Sequence, residues 1–304
     1  MVAEVEPAFA SPDEVAERLT AAGYLPDREV ATTVFLADRL GRPLLVEGPA
    51  GVGKTELAKA VAAATGAGLV RLQCYEGLDE SRALYEWNYR KQLLRIQAGQ
   101  ADRGSQVDQP GPAGDRDGWA SVHDDIFSEE FLLARPLLAA IRRTERTVLL
   151  VDETDKADVE VEALLLEVLS DFQVTVPELG TIAAVRRPFV VLTSNATREL
   201  SEALRRRCLY LHLDYPQADR EKAIVLARVP ELPEMLADQL VRTVNALRSL
   251  ELRKAPSVSE TIDWARTLLA LGLRELDGAA VATTLGVVLK HDADQTKATR
   301  ELHL

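Results

Sequence analysis

The chain has 304 residues, enough for two domains with sizeable cores, and its 47% hydrophobic and 28% charged residues are ordinary for a globular protein. A formal net charge of −12 argues against a general binder of nucleic acids or membrane surfaces, although it leaves room for a local basic groove. Cys74 and Cys208 are too few for a disulfide scaffold. The stretch 1–6, which carries two glutamates, has no apolar core of the kind found in signal peptides, and no apolar run in the sequence approaches the ~20 residues of a membrane span. We therefore expect a cytoplasmic protein without a signal peptide.

A glycine-rich loop stands between two predicted elements near the start of the chain. Two helices, 11–23 and 27–40, come first, and the apolar strand 43–46 follows them. The loop then runs through Gly48, Pro49, Ala50, Gly51, Val52, Gly53, Lys54 and Thr55 into a helix. This order of strand, loop and helix, with this spacing of glycines, is a phosphate-binding P-loop.

The P-loop predicts specific contacts with ATP and Mg²⁺. Glycines let several backbone N–H groups approach the phosphate oxygens, and the helix start adds a positive dipole end. We expect Lys54 to reach the β- and γ-phosphates and the Thr55 hydroxyl to ligate Mg²⁺. Tyr24 and Leu25 lie shortly before the motif, where either could cover an adenine ring or could be a core residue.

The next segment contains a strand, two predicted helices and a polar insert. The strand is 68–73, and apolar periodicity predicts helices over 79–97 and 128–143. Between them, residues 98–125 are rich in Gly, Asp, Gln and Pro, which is typical of either a functional loop or a mobile surface loop.

Two later strands end in polar side chains. The apolar run 147–151 predicts a strand buried on both faces, and it delivers Asp152 and Glu153 at its carboxyl end. Downstream of a P-loop, this pair indicates a magnesium ligand, Asp152, and a residue that polarises the attacking water, Glu153. Strand 189–193 likewise ends near Asn195, which could hold a water in line with the γ-phosphate. A hairpin is predicted over 173–185.

Three consecutive arginines, 205–207, precede the last predicted strand, 208–213. They are either a solvated basic corner or a guanidinium offered to the triphosphate of a neighbouring subunit. Beyond Pro216 the pattern is purely helical, over 218–228, 234–250, 257–271 and 277–291. The polar stretch 292–304 is expected to fray, and we find no internal repeat and no metal-ligand cluster.

These features, in this order, resemble the AAA+ ATPases over almost the whole chain. Four sequence segments resemble one subgroup of these ATPases, the MoxR group, and most of all its CoxD-type members. They are 72–79, 84–87, 151–180 and 204–209. Those ATPases are associated with maturation of molybdenum-containing carbon monoxide dehydrogenases. The resemblance implies an α/β P-loop NTPase with a parallel five-stranded core sheet flanked by helices over 1–215. It also implies a small all-α lid domain over 216–304.

The resemblance further implies a homo-oligomeric ring, commonly a hexamer, with ATP bound between subunits. It implies a chaperone-like role in metal-cofactor insertion or complex activation, usually with a von Willebrand A-domain partner. By position, Lys54 and Thr55 belong to Walker A, Asp152 and Glu153 to Walker B, and Asn195 is sensor 1.

The resemblance also assigns two further positions. Arg207 falls where the arginine finger normally lies, with Arg206 as the alternative, and Gln73 lies where a polar residue often restrains the catalytic glutamate.

One position departs from the family pattern. Ser259 stands where the family generally has a lid arginine that touches the γ-phosphate. Either Arg266 or Arg253 substitutes for it, or the contact is absent.

We therefore expect an ATP-driven remodeller of protein complexes. A DNA-dependent motor is a second hypothesis, which the net charge of −12 disfavours. A monomeric P-loop kinase or switch is a third, and it would need neither Asn195 nor arginines at a subunit edge.

Overall fold

A computed structural model describes residues 6–104 and 126–303. The strands are β1 Leu44–Glu47, β2 Gly68–Gln73, β3 Tyr85–Trp87, β4 Leu132–Ala134, β5 Thr147–Asp152, β6 Gln173–Val176, β7 Gly180–Ala183, β8 Phe189–Ser194 and β9 Leu209–His212. The helices of the first 215 residues are α1 Pro12–Ala21, α2 Arg28–Leu40, α3 Lys54–Thr65, α4 Glu80–Ala83, α5 Tyr89–Gly104, α6 Pro136–Arg142, α7 Val159–Asp171 and α8 Glu202–Arg207. Those that follow are α9 Ala218–Arg228, α10 Glu234–Ser249, α11 Val258–Ala270, α12 Gly278–Thr284 and α13 Asp292–Glu301.

The central sheet has five strands in the order β2-β5-β8-β1-β9, and every neighbouring pair is parallel. All residues of β1 and β5 are buried, as expected for strands covered by helices on both faces. The five strands predicted from the sequence over 43–46, 68–73, 147–151, 189–193 and 208–213 are confirmed. Because the strands are parallel, the carboxyl ends of β1, β5 and β8 meet at one edge of the sheet.

Apolar side chains form one core on each side of this sheet and a third among the C-terminal helices. The first core includes residues of β5, α6 and α7, and the second includes residues of α1, α2 and α3. The third lies wholly within residues 225–298 and surrounds Trp264, whose indole N–H donates to Thr284 Oγ1 at 2.8 Å. Within the two described ranges, no helix is long and apolar enough to cross a membrane.

Two predicted helices are wrong in part. The segment 79–97 contains α4, β3 and the start of α5, and the segment 128–143 contains a 3₁₀ turn, β4 and α6. Strands β3 and β4 pair antiparallel, with Trp87 opposite Leu132. Both side chains are buried in the first core, so tertiary pairing overrides the local helical pattern. Helix α5 continues into the polar insert 98–125 as far as Gly104. Residues 105–125 lie outside the described part of the chain.

The C-terminal segment also differs from the expectation. Residues 292–301 form a helix instead of fraying, and the predicted helix 277–291 ends at Thr284. Buried Ala298 anchors the last helix, and the Asp294 carboxylate accepts hydrogen bonds from the backbone N–H groups of Arg253 and Lys254. The predicted hairpin is confirmed as β6 and β7, although β7 is shorter than expected.

Candidate nucleotide site

The P-loop connects β1 to α3 through a backbone that only glycine adopts without strain at its turning points. Gly48, Gly51 and Gly53 have φ values of 149°, 75° and 102°. A Cβ added at Gly48 would lie 1.9 Å from the Leu213 carbonyl oxygen, so a side chain is excluded there. Among the described residues, the N–H groups of 50–53 have no hydrogen-bond acceptor. The loop therefore offers unpaired donors at the positive end of α3.

Lys54, the first residue of α3, folds back over the loop. Its Nζ donates to the carbonyl oxygens of Gly48 and Pro49, each at 2.6 Å, and to Asn195 Oδ1 at 2.8 Å. The residue is 6% exposed. Burial lowers the pKa of its ammonium, and the nearby carboxylates, Asp155 foremost, oppose that shift. The cation is thus held between the P-loop and the tip of β8.

Thr55 and Asp152 lie next to each other, as a shared metal site requires. The Thr55 hydroxyl donates to Asp152 Oδ1 at 3.0 Å, and the Thr193 hydroxyl donates to the same oxygen at 2.5 Å. Asp152 is 3% exposed. Its other oxygen, Oδ2, lies 2.5 Å from a guanidinium nitrogen of Arg71.

Glu153 follows directly in a strained conformation. Its φ is 57°, in the left-handed region that a non-glycine residue rarely adopts, and its N–H donates to Thr193 Oγ1 at 3.0 Å. The carboxylate oxygen Oε2 accepts hydrogen bonds from Gln73 Nε2 at 3.0 Å and from Lys156 Nζ at 2.6 Å. In this conformation Glu153 is held by two donors.

Asp155 holds Asn195 in place. Its carboxylate accepts hydrogen bonds from the backbone N–H groups of Asn195 at 3.2 Å and Thr197 at 3.1 Å, and from the Thr197 hydroxyl. Burial opposes ionisation of Asp155, but these hydrogen bonds outweigh it and lower the pKa of the carboxyl. Asp155 therefore fixes the backbone of Asn195, while the side-chain oxygen Oδ1 of Asn195 faces Lys54.

A cavity of about 430 Å³ lies beside the P-loop, between the α/β sheet and the C-terminal helices. Tyr24 and Leu25 line it, as do Val52, Ile262 and Arg266. Burial raises the pKa of Tyr24 to about 12, so its hydroxyl stays protonated at neutral pH. With this volume the cavity is large enough for a purine base and ribose next to the phosphate-binding loop.

The three arginines at the end of α8 have different surroundings. Arg205 forms two hydrogen bonds with the carboxylate of Glu47, at 2.8 and 3.1 Å, so it is committed to the sheet. Arg206 is exposed and pairs with Glu202 at 2.6 Å. Arg207 is exposed, and its guanidinium has no partner in the described part of the chain. Neither Arg206 nor Arg207 contacts the Walker residues of its own chain.

The residues present fit ATP with Mg²⁺. Unpaired loop N–H groups and the Lys54 ammonium suit phosphate oxygens, and hydroxyl and carboxylate oxygens from Thr55 and Asp152 are the hard ligands that Mg²⁺ prefers. Within residues 6–104 and 126–303, no group of three or more His, Cys, Asp or Glu side chains could hold a metal, so phosphate and water would complete the shell.

A family model described as AAA domain, dynein-related subfamily, matches residues 43–208 of the 304-residue chain. The match contains the P-loop, the tips of β5 and β8, and the three arginines. The chain belongs to this family.

Other comparisons give more distant likenesses. The AAA domain is 31% identical over 170 residues to the chaperone protein ClpB 2 of Parasynechococcus marenigrum (strain WH8102), which covers 56% of this chain and 14% of that protein. The chain thus spans about a seventh of the length of that relative. The Thermotoga maritima RuvB Holliday junction branch migration motor superposes with a TM-score of 0.46 at 18% identity, over 90% of this chain and 68% of that one. A point mutant of the same RuvB gives 0.49 at 17% identity, over 92% and 72%. Neither score reaches one half, so the family assignment depends on the sequence match.

AAA domains in general hydrolyse nucleoside triphosphates and commonly form oligomeric rings. Helix α11 of this chain differs from the expected lid helix. The Ser259 N–H and hydroxyl lie 3.3 and 3.4 Å from the Gly51 carbonyl oxygen, so this helix touches the P-loop itself. Arg266 lines the cavity and pairs with Asp263, whereas Arg253 is not among its lining residues.

Sequence reasoning did not single out four residues of this AAA domain that the structure places at the site. They are Arg71, Asp155, Lys156 and Thr193. Asp155 and Lys156 follow the Asp-Glu pair closely, so proximity in sequence was an available signal. Thr193 is the penultimate residue of β8, and Arg71 is far from Asp152 along the chain, so only the packing of the parallel strands brings these two side chains to the site.

Proposed function

We propose that this chain is a Mg²⁺-dependent ATPase that remodels or matures a protein complex. One observation carries the ATPase: Lys54, Thr55, Asp152, Glu153 and Asn195 converge where β1, β5 and β8 end. Charge neutralisation, a metal ligand and a residue that orients water are the parts that phosphoryl transfer requires.

Each side chain then has a defined role. The P-loop N–H groups and Lys54 bind the β- and γ-phosphates, while Thr55 and Asp152 hold Mg²⁺, which supplies charge neutralisation on the phosphate oxygens. Asn195, fixed by Asp155, positions the attacking water. Glu153 polarises that water once it leaves Gln73 and Lys156, because a carboxylate held by two donors is a weak base.

Arg207 completes the site of a neighbouring subunit in a homo-oligomeric ring, which we propose to be a hexamer. Two observations support this. The Arg207 guanidinium is exposed and has no partner in the described part of the chain. Arg207 also lies just before β9, the edge strand of the sheet on the side opposite β2. Arg205 is excluded because it is bound to Glu47. Arg206 is the alternative, since its ion pair with Glu202 is largely exposed and easily exchanged.

We assign the chain to the MoxR group, and within it to the CoxD-type ATPases. The sequence blocks 72–79, 151–180 and 204–209 support this, and they include Gln73, which contacts Glu153. The client is then a molybdenum-containing or other metal-cofactor enzyme, and a von Willebrand A-domain protein is the adaptor. We also propose residues 1–215 as the nucleotide-binding domain, 216–304 as the lid, and the cytoplasm as the location. A gene neighbourhood containing such an enzyme and such an adaptor would support the client.

The decisive variant is Glu153→Gln, which keeps the size and hydrogen bonding of the side chain but removes the base. We expect it to bind ATP and assemble like the wild type, with turnover lowered about 10²-fold or more. Glu160→Gln, at an exposed position of α7, is the matched control and should turn over normally. Unchanged turnover in Glu153→Gln would remove Glu153 from this role. Stimulation of the wild type by DNA would instead favour a DNA motor.

A further inference from the structure

Arg71 connects two of the acidic residues of the site, Asp152 and Glu153. It lies on β2, the edge strand of the sheet, and its side chain is 49% exposed. One guanidinium nitrogen donates both to Asp152 Oδ2, at 2.5 Å, and to the Gln73 side-chain oxygen Oε1. Gln73 in turn donates from Nε2 to Glu153 at 3.0 Å. A chain of hydrogen bonds therefore runs from Asp152 through Arg71 and Gln73 to Glu153.

The first end of this chain competes with a metal ion. Thr55 and Thr193 already donate to Asp152 Oδ1, which leaves Oδ2 as the carboxylate oxygen that Arg71 occupies. A divalent cation bound at Asp152 and a guanidinium 2.5 Å from the same carboxylate repel each other at short range. Binding of Mg²⁺ thus favours departure of Arg71.

The second end of the chain controls the orientation of an amide. A glutamine whose oxygen accepts from a guanidinium must direct its NH₂ group elsewhere, and here that group faces Glu153. When Arg71 leaves, the amide of Gln73 is free to rotate, and Glu153 loses one of the two donors that hold it.

We propose that Arg71 is a positioning residue that couples Mg²⁺ binding at Asp152 to release of Glu153. This inference rests on the proposed ATPase function and adds a regulatory residue to it. The location of Arg71 suits this role, because no strand of residues 6–104 and 126–303 pairs with the outer side of β2 and the arginine can swing into solvent. The Arg71 side chain is half-exposed but Asp152 is buried, so thermal unfolding of each Arg71 variant is measured beside its Mg²⁺ affinity to separate coupling from folding.

The test uses the full-length protein and a fluorescent ADP, with Mg²⁺ titrated at fixed nucleotide. Arg71→Ala should bind Mg²⁺ about tenfold more tightly than the wild type, since one repelling charge is gone. Arg71→Gln keeps most of the side-chain stem and should also bind Mg²⁺ more tightly than the wild type. It provides the same test if Arg71→Ala proves unstable. Arg135→Ala is the control for loss of an arginine, because the Arg135 side chain is similarly exposed and pairs with Glu86, away from Asp152.

A second readout separates coupling from simple metal competition. Arg71→Ala and Gln73→Ala should each raise basal turnover, and the double variant should raise it no further, because both act through the same contact with Glu153. Additive effects would overturn the coupling. Mg²⁺ affinity that is unchanged or weaker in both Arg71 variants would overturn the inference while the ATPase stands. A wild type that binds no Mg²⁺-nucleotide would overturn both.

Discussion

The Asn195 side-chain oxygen accepts a hydrogen bond from Lys54 Nζ at 2.8 Å, which joins the tip of β8 to the first residue of α3. A movement of the Lys54 ammonium therefore directly alters a hydrogen bond of Asn195, the residue proposed to position water. The same ammonium also donates to Gly48 and Pro49, so phosphate binding would exchange these contacts for stronger, charge-assisted ones.

Asn195→Ala should lower turnover by ~10²–10³ while nucleotide affinity stays within a few-fold of the wild type, because one transition-state contact is lost and the P-loop is intact. Single-turnover hydrolysis together with equilibrium binding of a fluorescent nucleotide separates the two effects. Asn245→Ala, in α10, controls for loss of an amide elsewhere and should behave as wild type. An equal loss of affinity and turnover would place Asn195 in binding and not in catalysis.

Gly51→Ala should weaken contact between the P-loop and α11. The new Cβ would lie 2.4 Å from Ser257 Oγ, which caps that helix, at a φ of 75°. Gly66→Ala is the matched control, since Gly66 also has a positive φ but no atom within 4 Å of an added Cβ. Both variants should lose about 1 kcal/mol from backbone strain.

The difference between these two variants isolates the steric contact. Gly51→Ala should lose a further ~1–3 kcal/mol from overpacking and bind nucleotide more weakly, as measured by thermal unfolding and by a fluorescent nucleotide. Equal melting temperatures for the two variants would show that α11 moves away from the loop without cost.

Arg205→Ala and Arg207→Ala should have opposite profiles. Loss of Arg205 leaves Glu47 buried without its partner and should lower the free energy of unfolding by about 2 kcal/mol. Loss of Arg207 removes a surface side chain with no partner in the described residues, which should leave stability within ~0.5 kcal/mol but lower turnover by ~10³ or more. Urea unfolding and steady-state hydrolysis distinguish them. A stable, fully active Arg207→Ala would transfer the finger role to Arg206.

Neither cysteine should react readily in the folded protein. Burial raises the pKa of the Cys74 thiol and of the Cys208 thiol to about 12, so almost no thiolate is present at pH 8. A thiol-specific reagent at pH 8 should label the native chain far more slowly than the urea-unfolded chain, which should take up two equivalents. Rapid native labelling of Cys208 would show that β9 opens, and its identification by mass spectrometry would locate the opening.

The sequence predicts the central sheet well because its strands are buried on both faces. An almost wholly apolar run such as 147–151 forms a strand in nearly any compact arrangement, and parallel packing then places Asp152, Glu153 and Asn195 at one edge. The P-loop is equally local, since its glycine spacing follows from backbone conformation alone.

The contacts between distant segments could not be predicted in this way. Strand β3 has three residues, too few to show alternation, and it forms only because Trp87 and Leu132 share a core. The contact of Ser259 with Gly51 joins residues 208 positions apart, and that of Arg71 with Asp152 requires the register of two strands. Such pairings depend on the packed tertiary structure and leave no periodic signal.

The most direct measurement mixes two inactive variants. Lys54→Ala cannot bind phosphate, and Arg207→Ala cannot supply the guanidinium, but a ring that contains both has interfaces where Lys54 of one subunit meets Arg207 of the next. If subunits share each site, an equimolar mixture should regain up to about a quarter of wild-type turnover, the fraction of interfaces with both groups intact. If native mass spectrometry shows mixed rings and turnover stays at the level of the single variants at every ratio, Arg207 does not act across a subunit boundary.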